Sequence, residues 1–211
     1  LLGISHELRT PLSRMRLGLE FFDDQENVDS LKAEIVEMEK IVASLLEAER
    51  LNARHSQLTR TNVVIDELIK ELLDDFFARD MDRITVSLPD ESITAYVDEA
   101  RITLLLKNLI GNALRYTKPE DGPVELVVSV TNDELVMTVT DHGPGLPEDQ
   151  VARLGEPFYR SDTSRARESG GTGLGLYLAT LVANAHEGSL CLLETKDQGA
   201  SFEVRIPLIE P

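Results

Sequence analysis

Residues 4–12 read Ile4-Ser5-His6-Glu7-Leu8-Arg9-Thr10-Pro11-Leu12. On a helix, residues four apart lie on one face, so His6 and Thr10 would be neighbours there. Pro11 has no N–H and its ring crowds the carbonyl of Glu7, which predicts a kink beside the histidine. The stretch therefore places an imidazole, a carboxylate and a hydroxyl within little more than one helical turn.

The apolar residues around this stretch recur every three or four positions, which predicts a helix over residues 1–22 with one apolar stripe. The stripe consists of Leu1, Ile4, Leu8, Leu12, Met15, Leu19 and Phe22. His6 and Thr10 fall on the opposite side of this helix. A lone histidine is more often a satisfied core residue, but this register favours a solvent-facing, functional His6.

A second helix is predicted from about Val28 to Leu51, with its own apolar stripe at Leu31, Ile35, Met38, Val42 and Leu45. Two antiparallel helices cannot bury such stripes well alone, and a dimeric four-helix bundle is the simple solution. The residues that follow are polar and without periodicity. We therefore predict a helical hairpin domain over residues 1–54, a linker over 55–60 and a second domain over 61–211.

The second domain mixes short strands with helices. Strands are predicted near 61–65, 84–88, 94–97, 124–131, 135–140, 189–194 and 201–206, and helices near 66–79, 98–117 and 172–185. Asn132-Asp133 between two strands predicts a hairpin turn. This order favours an α/β sandwich with helices packed on one face of a mixed sheet.

The composition excludes several classes of protein. A net charge of −17 argues against nucleic-acid binding and against an anionic membrane surface as partner. No apolar run approaches the ~18 residues of a membrane span, and no signal peptide is visible. The single cysteine, Cys191, lies in an apolar run and is predicted to be buried in a strand, which suits a reducing cytoplasm. The chain opens inside a helix, so we expect it to be part of a longer protein.

Two asparagines, Asn108 and Asn112, lie four residues apart on the predicted helix over 98–117 and share one face. They either hydrogen-bond a neighbouring loop or contact Mg²⁺ and phosphate, because amide oxygens suit a hard cation. Arg115 and Lys118 add positive charge nearby.

Two glycine-rich segments follow. Asp141-His142-Gly143-Pro144-Gly145 is either a turn after a strand or a site where Asp141 accepts a hydrogen bond from an exocyclic amine and the glycines admit a flat base. Gly170-Gly171-Thr172-Gly173-Leu174-Gly175-Leu176-Tyr177 precedes a predicted helix, where backbone N–H groups can cradle phosphates. It fits neither a Walker loop nor the dinucleotide fingerprint. The polar stretch between them is a mobile lid or an ordinary loop.

In this order and spacing, the segments resemble the core of a bacterial sensor histidine kinase, over nearly the whole chain. The matching motifs are the H-box (residues 5–12), the N-box (108–116), the first glycine box (141–145), the F-box (157–160) and the second glycine box (171–176). The resemblance implies an all-α hairpin, dimerising as a four-helix bundle, followed by an α/β sandwich of the histidine kinase ATPase (Bergerat) type. One departure is His186-Glu187-Gly188, where the family often has His-Gly-Gly; we expect little consequence.

The resemblance also implies roles for individual residues. His6 would be the phosphoacceptor, Glu7 the general base, and Thr10 the residue that positions water to dephosphorylate a partner. Asn112 would hold Mg²⁺ and Asp141 would bind the adenine amine of ATP. The rest of the implied nucleotide site comprises Asn108, Arg115, Tyr116, Lys118, Gly143, Gly145, Phe158, Arg160, Gly171, Thr172, Gly173, Leu174, Gly175 and Leu176, with Phe158 and Arg160 linking the lid to the γ-phosphate.

The implied partners are a second copy of the chain and a response regulator whose aspartate receives the phosphoryl group. Leu17, on the His6 side of its helix, either helps dock that regulator or widens the bundle core. The implied location is the cytoplasm, with a membrane segment only in the part that would precede residue 1, in the bacterial inner membrane. The alternatives are an ATPase of the same superfamily without histidine phosphorylation and a non-catalytic dimerisation scaffold.

Overall fold

The computed structural model describes residues 11, 14, 15, 17, 25–52, 58–145, 153, 155–159, 172–193 and 199–209. Helix α1 (Gln25–Asn52) is the second helix predicted from the apolar pattern. Four described residues of the preceding segment, from Pro11 to Leu17, are helical. One of them, Arg14, forms an ion pair of 3.0 Å with Glu34 of α1, so the two segments lie side by side.

The residues described after α1 form seven strands and three helices: β1 (Thr61–Val64), α2 (Ile65–Phe76), β2 (Ile84–Ser87), β3 (Thr94–Val97), α3 (Glu99–Tyr116), β4 (Val124–Thr131), β5 (Glu134–Thr140), α4 (Gly175–Ala185), β6 (Ser189–Leu193) and β7 (Ser201–Pro207). Single 3₁₀ turns lie at Met81–Arg83 and Pro119–Asp121. The strands and helices predicted for this second part are all present, although α2 ends three residues earlier and α4 begins three residues later than predicted. The helix predicted over residues 1–22 lies mostly outside the described residues.

Five strands form one mixed sheet in the order β2-β4-β5-β7-β6, and β1 and β3 form a separate antiparallel pair. Strands β2 and β4 run parallel, and the other neighbours in the large sheet are antiparallel. Asn132 and Asp133 join β4 to β5 with φ of 53° and 59°. Two positive φ angles define the type I′ turn that suits a two-residue hairpin, so the hairpin prediction is confirmed.

Helices α3 and α4 cover one face of the sheet, and α2 packs against α3 in the same core. Alternate residues of β4 and β5 point into the core between the layers, among them Val124, Leu126, Leu135 and Met137, each fully buried. The predicted α/β sandwich, with helices on one face of a mixed sheet, is confirmed by this arrangement.

The prediction that Cys191 is buried is wrong, because its side chain is exposed on β6. Strand β6 lies at the edge of the sheet, and Leu190 is paired with the buried Val204. Successive residues of a strand face opposite sides, so Cys191 shares the open face with Glu203. An apolar run can thus belong to an edge strand with only one covered face.

The last turns of α1 pack into the core of the second unit. Ala48 and Leu51 are buried there, 3% and 8% exposed. Glu47 forms an ion pair with Arg101 of α3. The amide Nδ2 of Asn52 donates a hydrogen bond of 2.8 Å to the hydroxyl of Tyr177 on α4. Helix α1 therefore contributes to both halves of the chain.

Asp98 and His186 join the residues before β1 to helices α3 and α4. The carboxylate of Asp98 caps α3 by accepting from Arg101 N (3.2 Å), and it also accepts from Thr59 N (2.9 Å). The N–H of Asp98 donates to Nε2 of the buried His186 (3.1 Å), whose Nδ1 lies 2.9 Å from the carbonyl oxygen of Val182. The imidazole is therefore neutral, with its proton on Nδ1, and burial lowers the pKa of His186.

Glu187, the departure from the family pattern, has a contact of its own. Its φ is +63°, a conformation that costs a residue with a Cβ about 1 kcal/mol. Its carboxylate forms an ion pair of 3.1 Å with Arg60, just before β1. The ion pair ties the start of the second unit to the end of α4.

Acidification is expected to destabilise the protein through His186. Because the folded pKa is lowered from 6.5, protons bind the unfolded chain first and favour unfolding. The contribution of His186 to the free energy of unfolding is complete above about pH 6.5. It is lost as the pH falls toward the lowered pKa of the folded state. We expect urea titrations between about pH 7 and pH 5 to give a smaller pH dependence of the free energy of unfolding in His186→Gln. Equal pH dependence in both proteins would contradict this.

Candidate functional site

Asp141 lies directly after β5, and its side chain is fixed by backbone groups. Its Oδ1 accepts hydrogen bonds from the N–H groups of Gly143 (2.9 Å) and Ala200 (3.2 Å). Among the described residues, the hydrogen bonds of this carboxylate fall on Oδ1 and not on Oδ2. Burial raises the pKa of Asp141 above its ordinary value, while the two backbone donors and His142 counteract the shift. The residue is a buried, oriented acceptor.

The first glycine box contacts the end of α3. A Cβ on Gly143 would lie 2.9 Å from the carbonyl oxygen of Tyr116, so a side chain there would collide with the backbone. The N–H of His142 donates to Oγ1 of the buried Thr117 (3.0 Å). Gly145 has φ of +73°, which glycine adopts without strain. The Asp141 loop and the end of α3 are therefore one packed unit.

Helix α3 buries one face and presents Asn108 and Asn112 on another. Asn108 donates from Nδ2 to the carbonyl oxygen of Leu104 (2.9 Å), and its Oδ1 lies 2.8 Å from where a Cβ of Gly175 would be. Gly175 therefore leaves room for the Asn108 amide, which would have to shift if a side chain were present there. Asn112 accepts a long hydrogen bond of 3.4 Å from Arg115, close to solvent. Arg115 and Lys118 are both exposed.

The second glycine box packs backbone to backbone against the F-box. Gly173 has φ of +71°, and a Cβ there would lie 2.8 Å from the carbonyl carbon of Phe158 and 2.9 Å from the carbonyl oxygen of Tyr159. Phe158 donates its N–H to the carbonyl oxygen of Gly173 (3.1 Å) and itself has φ of +64°. The hydroxyl of Thr172 accepts from Leu174 N (3.3 Å) just before α4 begins. The described ends of the predicted lid and the helix N-terminus therefore meet.

The structure brings most of the predicted nucleotide residues into these contacts: the helix with Asn108 and Asn112, the Asp141 loop, and the turn before α4. Leu174 is buried and Leu176 packs partly buried against the core, so these two support the turn from below. Five predicted site residues lie outside the described part of the chain: His6, Glu7, Thr10, Arg160 and Gly171. Their roles stay predictions.

The sequence analysis missed Gly199 and Ala200, which complete the Asp141 site. Ala200 both donates to the Asp141 carboxylate and accepts from the Asp141 N–H (2.9 Å). Gly199 has φ of +118°, and a Cβ there would lie 2.1 Å from the carbonyl oxygen of Asp141. Thr140 and Ser201 pair through their hydroxyls (2.8 Å) alongside. A glycine two residues before the predicted strand over 201–206 was the available signal.

The described residues include neither a cluster of metal-ligating side chains nor a helix that could span a membrane. No group of three or more histidine, cysteine, aspartate or glutamate side chains in these ranges is arranged to hold a metal ion. No helix within them combines the length and apolar character needed to cross a bilayer.

Two family models match the chain. Residues 97–210 match "Histidine kinase-, DNA gyrase B-, and HSP90-like ATPase", and residues 1–54 match "His Kinase A (phospho-acceptor) domain". The chain belongs to the sensor histidine kinase family. The resemblance seen in the five motifs is confirmed, and so is the fold class of helical region followed by an ATPase domain.

Known histidine kinases match over nearly the whole chain. Sensor histidine kinase WalK of Bacillus subtilis is 32% identical over 99% of this chain and 36% of its own length. Signal transduction histidine-protein kinase BaeS of Escherichia coli is 35% identical over 97% of this chain and 45% of its own. A crystal structure of full-length ShkA in complex with AMPPNP is 26% identical, with a TM-score of 0.71 over 99% of this chain and 45% of that one. This histidine kinase chain spans less than half the length of these relatives.

Gly199→Ala is expected to destabilise this histidine kinase by roughly 2 kcal/mol or more, because the new methyl group meets the Asp141 carbonyl and φ is positive. The matched control is Gly111→Ala on α3, where a Cβ meets nothing within 4 Å and stability should rise by roughly 0.5–1 kcal/mol. Chemical denaturation of both variants measures the difference. Wild-type stability in Gly199→Ala would refute the close approach at Asp141.

Proposed function

We propose that this chain binds Mg-ATP, phosphorylates its own His6 and passes the phosphoryl group to an aspartate of a response regulator. The observation that carries the proposal is the buried Asp141 carboxylate, oriented by two backbone N–H groups where the first glycine box meets the end of α3. An acceptor held this way can bind the exocyclic amine of adenine, while Gly143 admits the base and Tyr116 packs beside it.

The phosphate side of the site is built from backbone at the start of α4. Gly173 and Gly175 lead into α4, and the backbone N–H groups at the N-terminus of this helix favour anions. The lack of side chains at the two glycines lets the F-box and Asn108 pack closely against this turn. We assign Asn108, Arg115, Lys118, Gly171 and Thr172 to this side, and Phe158 with Arg160 to the contact between the lid and the γ-phosphate.

We assign Mg²⁺ to Asn112. Its amide oxygen has one long hydrogen bond of 3.4 Å to an exposed arginine, so the oxygen can be given up to a cation. One protein oxygen with phosphate oxygens and waters is a donor set that Mg²⁺ accepts. When bound, the cation neutralises charge on the phosphates.

His6 is the proposed nucleophile. A neutral imidazole is available near pH 7, because its ordinary pKa is about 6.5. The P–N bond to His6 forms as the bond between the γ-phosphorus and the bridging oxygen of ADP breaks, and Glu7 takes the ring proton. The phosphoryl group then moves to the aspartate of the regulator. Thr10 would position the water molecule that hydrolyses the phosphorylated aspartate of the regulator.

A second copy of the chain is the proposed partner of α1. Ile35, Val42 and Leu46 are 42–56% exposed on this helix, and with Met15 and Met38 they line an open apolar groove of about 450 Å³. A contiguous apolar groove of this kind on a hairpin favours closure into a dimeric four-helix bundle. We expect a homodimer.

Leu17 is 56% exposed, so it is not buried within the hairpin itself. We propose that it either docks the regulator or joins the core of the dimeric bundle. We also propose that the domain works in the cytoplasm, attached to the bacterial inner membrane by preceding segments, and that it binds no nucleic acid.

Incubation with Mg-ATP separates this proposal from its alternatives. We expect phosphate on the protein that is labile to acid and stable to base, abolished in His6→Gln and retained in the control His55→Gln. Asn112→Ala should lose phosphorylation with His6 intact. ADP release without protein phosphate would instead indicate a plain ATPase, and absent ATP binding would indicate a scaffold. The phospho-acceptor domain match over residues 1–54 favours the kinase over both.

Thr10→Ala is expected to keep autophosphorylation and to lose the phosphatase activity toward the phosphorylated regulator, because only hydrolysis needs a positioned water. The two rates are measured separately, with radiolabelled ATP and with purified phosphoregulator. Phosphatase activity retained in Thr10→Ala would remove Thr10 from the mechanism.

A further inference from the structure

Arg83 lies outside every nucleotide motif, yet its side chain reaches the end of α3. Its Nη2 donates to the carbonyl oxygens of Leu114 (3.1 Å) and Thr117 (2.9 Å). The last carbonyls of a helix have no partner within the helix, and a cation there also suits the helix dipole. Arg83 therefore caps the C-terminus of the helix that carries Asn108 and Asn112.

The guanidinium of Arg83 is also bonded to Asp80. Its Nη1 donates to a carboxylate oxygen of Asp80 at 3.1 Å, and the N–H of Arg83 bonds the Asp80 carbonyl oxygen (2.9 Å) across the 3₁₀ turn. The side chain of Arg83 is 27% exposed. Its planar fork serves the carboxylate and the two carbonyls at once, which a lysine cannot do.

The capped end of α3 is also the support of the Asp141 loop. Thr117, whose carbonyl accepts from Arg83, is 4% exposed, and its hydroxyl accepts from the N–H of His142 (3.0 Å). Gly143 packs on the carbonyl of Tyr116 in the same turn. A continuous path of hydrogen bonds thus leads from Asp80 through Arg83 and Thr117 to the residue after Asp141.

We propose that Arg83 is a positioning residue for nucleotide binding: by capping α3 it fixes Thr117 and, through it, the Asp141 loop on the adenine side. The inference rests on the proposed function, since it concerns the same site. Without the cap, the last turn of α3 frays and the Asp141 carboxylate loses its fixed direction, while His6, Glu7 and Asn112 lie outside that last turn.

The test compares Arg83→Gln with Arg79→Gln, which removes the same charge at an exposed arginine four residues earlier. We expect Arg83→Gln to raise the Kd of a fluorescent ATP analogue and the KM for ATP by roughly three- to tenfold, with kcat near wild type. Arg83→Lys should recover part of the affinity, and Arg79→Gln should behave as wild type. Thermal unfolding shows that each variant is folded at the temperature of the assay.

A double-mutant cycle tests the route. If Arg83 acts through Thr117, then Arg83→Gln should cost much less affinity in a Thr117→Val background than in the wild type. Additive effects would overturn the proposed path, and so would a wild-type Kd in folded Arg83→Gln.

Amide hydrogen exchange without nucleotide separates this inference from the proposed function. We expect faster exchange at His142 and Thr117 in Arg83→Gln but not in Arg79→Gln. Unchanged exchange at both amides would overturn the role of Arg83 even if the protein binds ATP. Failure of the wild-type chain to bind the ATP analogue would instead overturn the proposed function, and the exchange result would still decide whether Arg83 orders the loop.

Discussion

Helix α3 buries one face in the core and presents two asparagines on another, and the rest of the ATPase domain is arranged around this helix. One side of the helix carries six apolar residues that are 0–4% exposed, and these residues pack between the sheet and α4: Ile102, Leu105, Leu106, Leu109, Ile110 and Ala113. Burial of each large side chain contributes about 2 kcal/mol, enough to offset the poor helix propensity of two asparagines. The two asparagine amides can therefore occupy the remaining face, because the core fixes the helix without them.

Both ends of α3 are held by polar groups brought from distant parts of the chain. Asp98 caps the start, with Thr59 and His186 bonded to it, and Arg83 caps the end. Because α3 is fixed at both ends, the segments that pack against it have little room for side chains at Gly143 and Gly175. A Cβ at Gly143 or Gly175 would obstruct these contacts, so glycine lets α3, the Asp141 loop and α4 pack together as one unit.

The sequence predicted regular elements and motif-based residues well, because each leaves a local signal. Asn132-Asp133 marked the hairpin and the apolar period marked α1, since both features depend on neighbours in the chain. Contacts between distant segments left no such signal. Arg83, Ala200 and the pairing of Arg60 with Glu187 depend on which loops meet after folding, and Cys191 was misjudged because its exposure depends on whether a strand lies at the edge of a sheet. The family motifs recovered most of the candidate site because they record such distant contacts indirectly.

Helix α1 has a mechanical consequence. Its 28 residues span about 42 Å, with the apolar groove along its middle turns and Ala48 and Leu51 in the ATP-binding core at its end. A continuous helix resists twisting, so a rotation of α1 at the groove would be carried to its buried end at Ala48 and Leu51. A rotation imposed at the groove would turn Asn52 against Tyr177, two residues beyond Gly175. Contact with α4 would therefore transmit a twist of α1 to the second unit, in addition to any path through the chain that connects them.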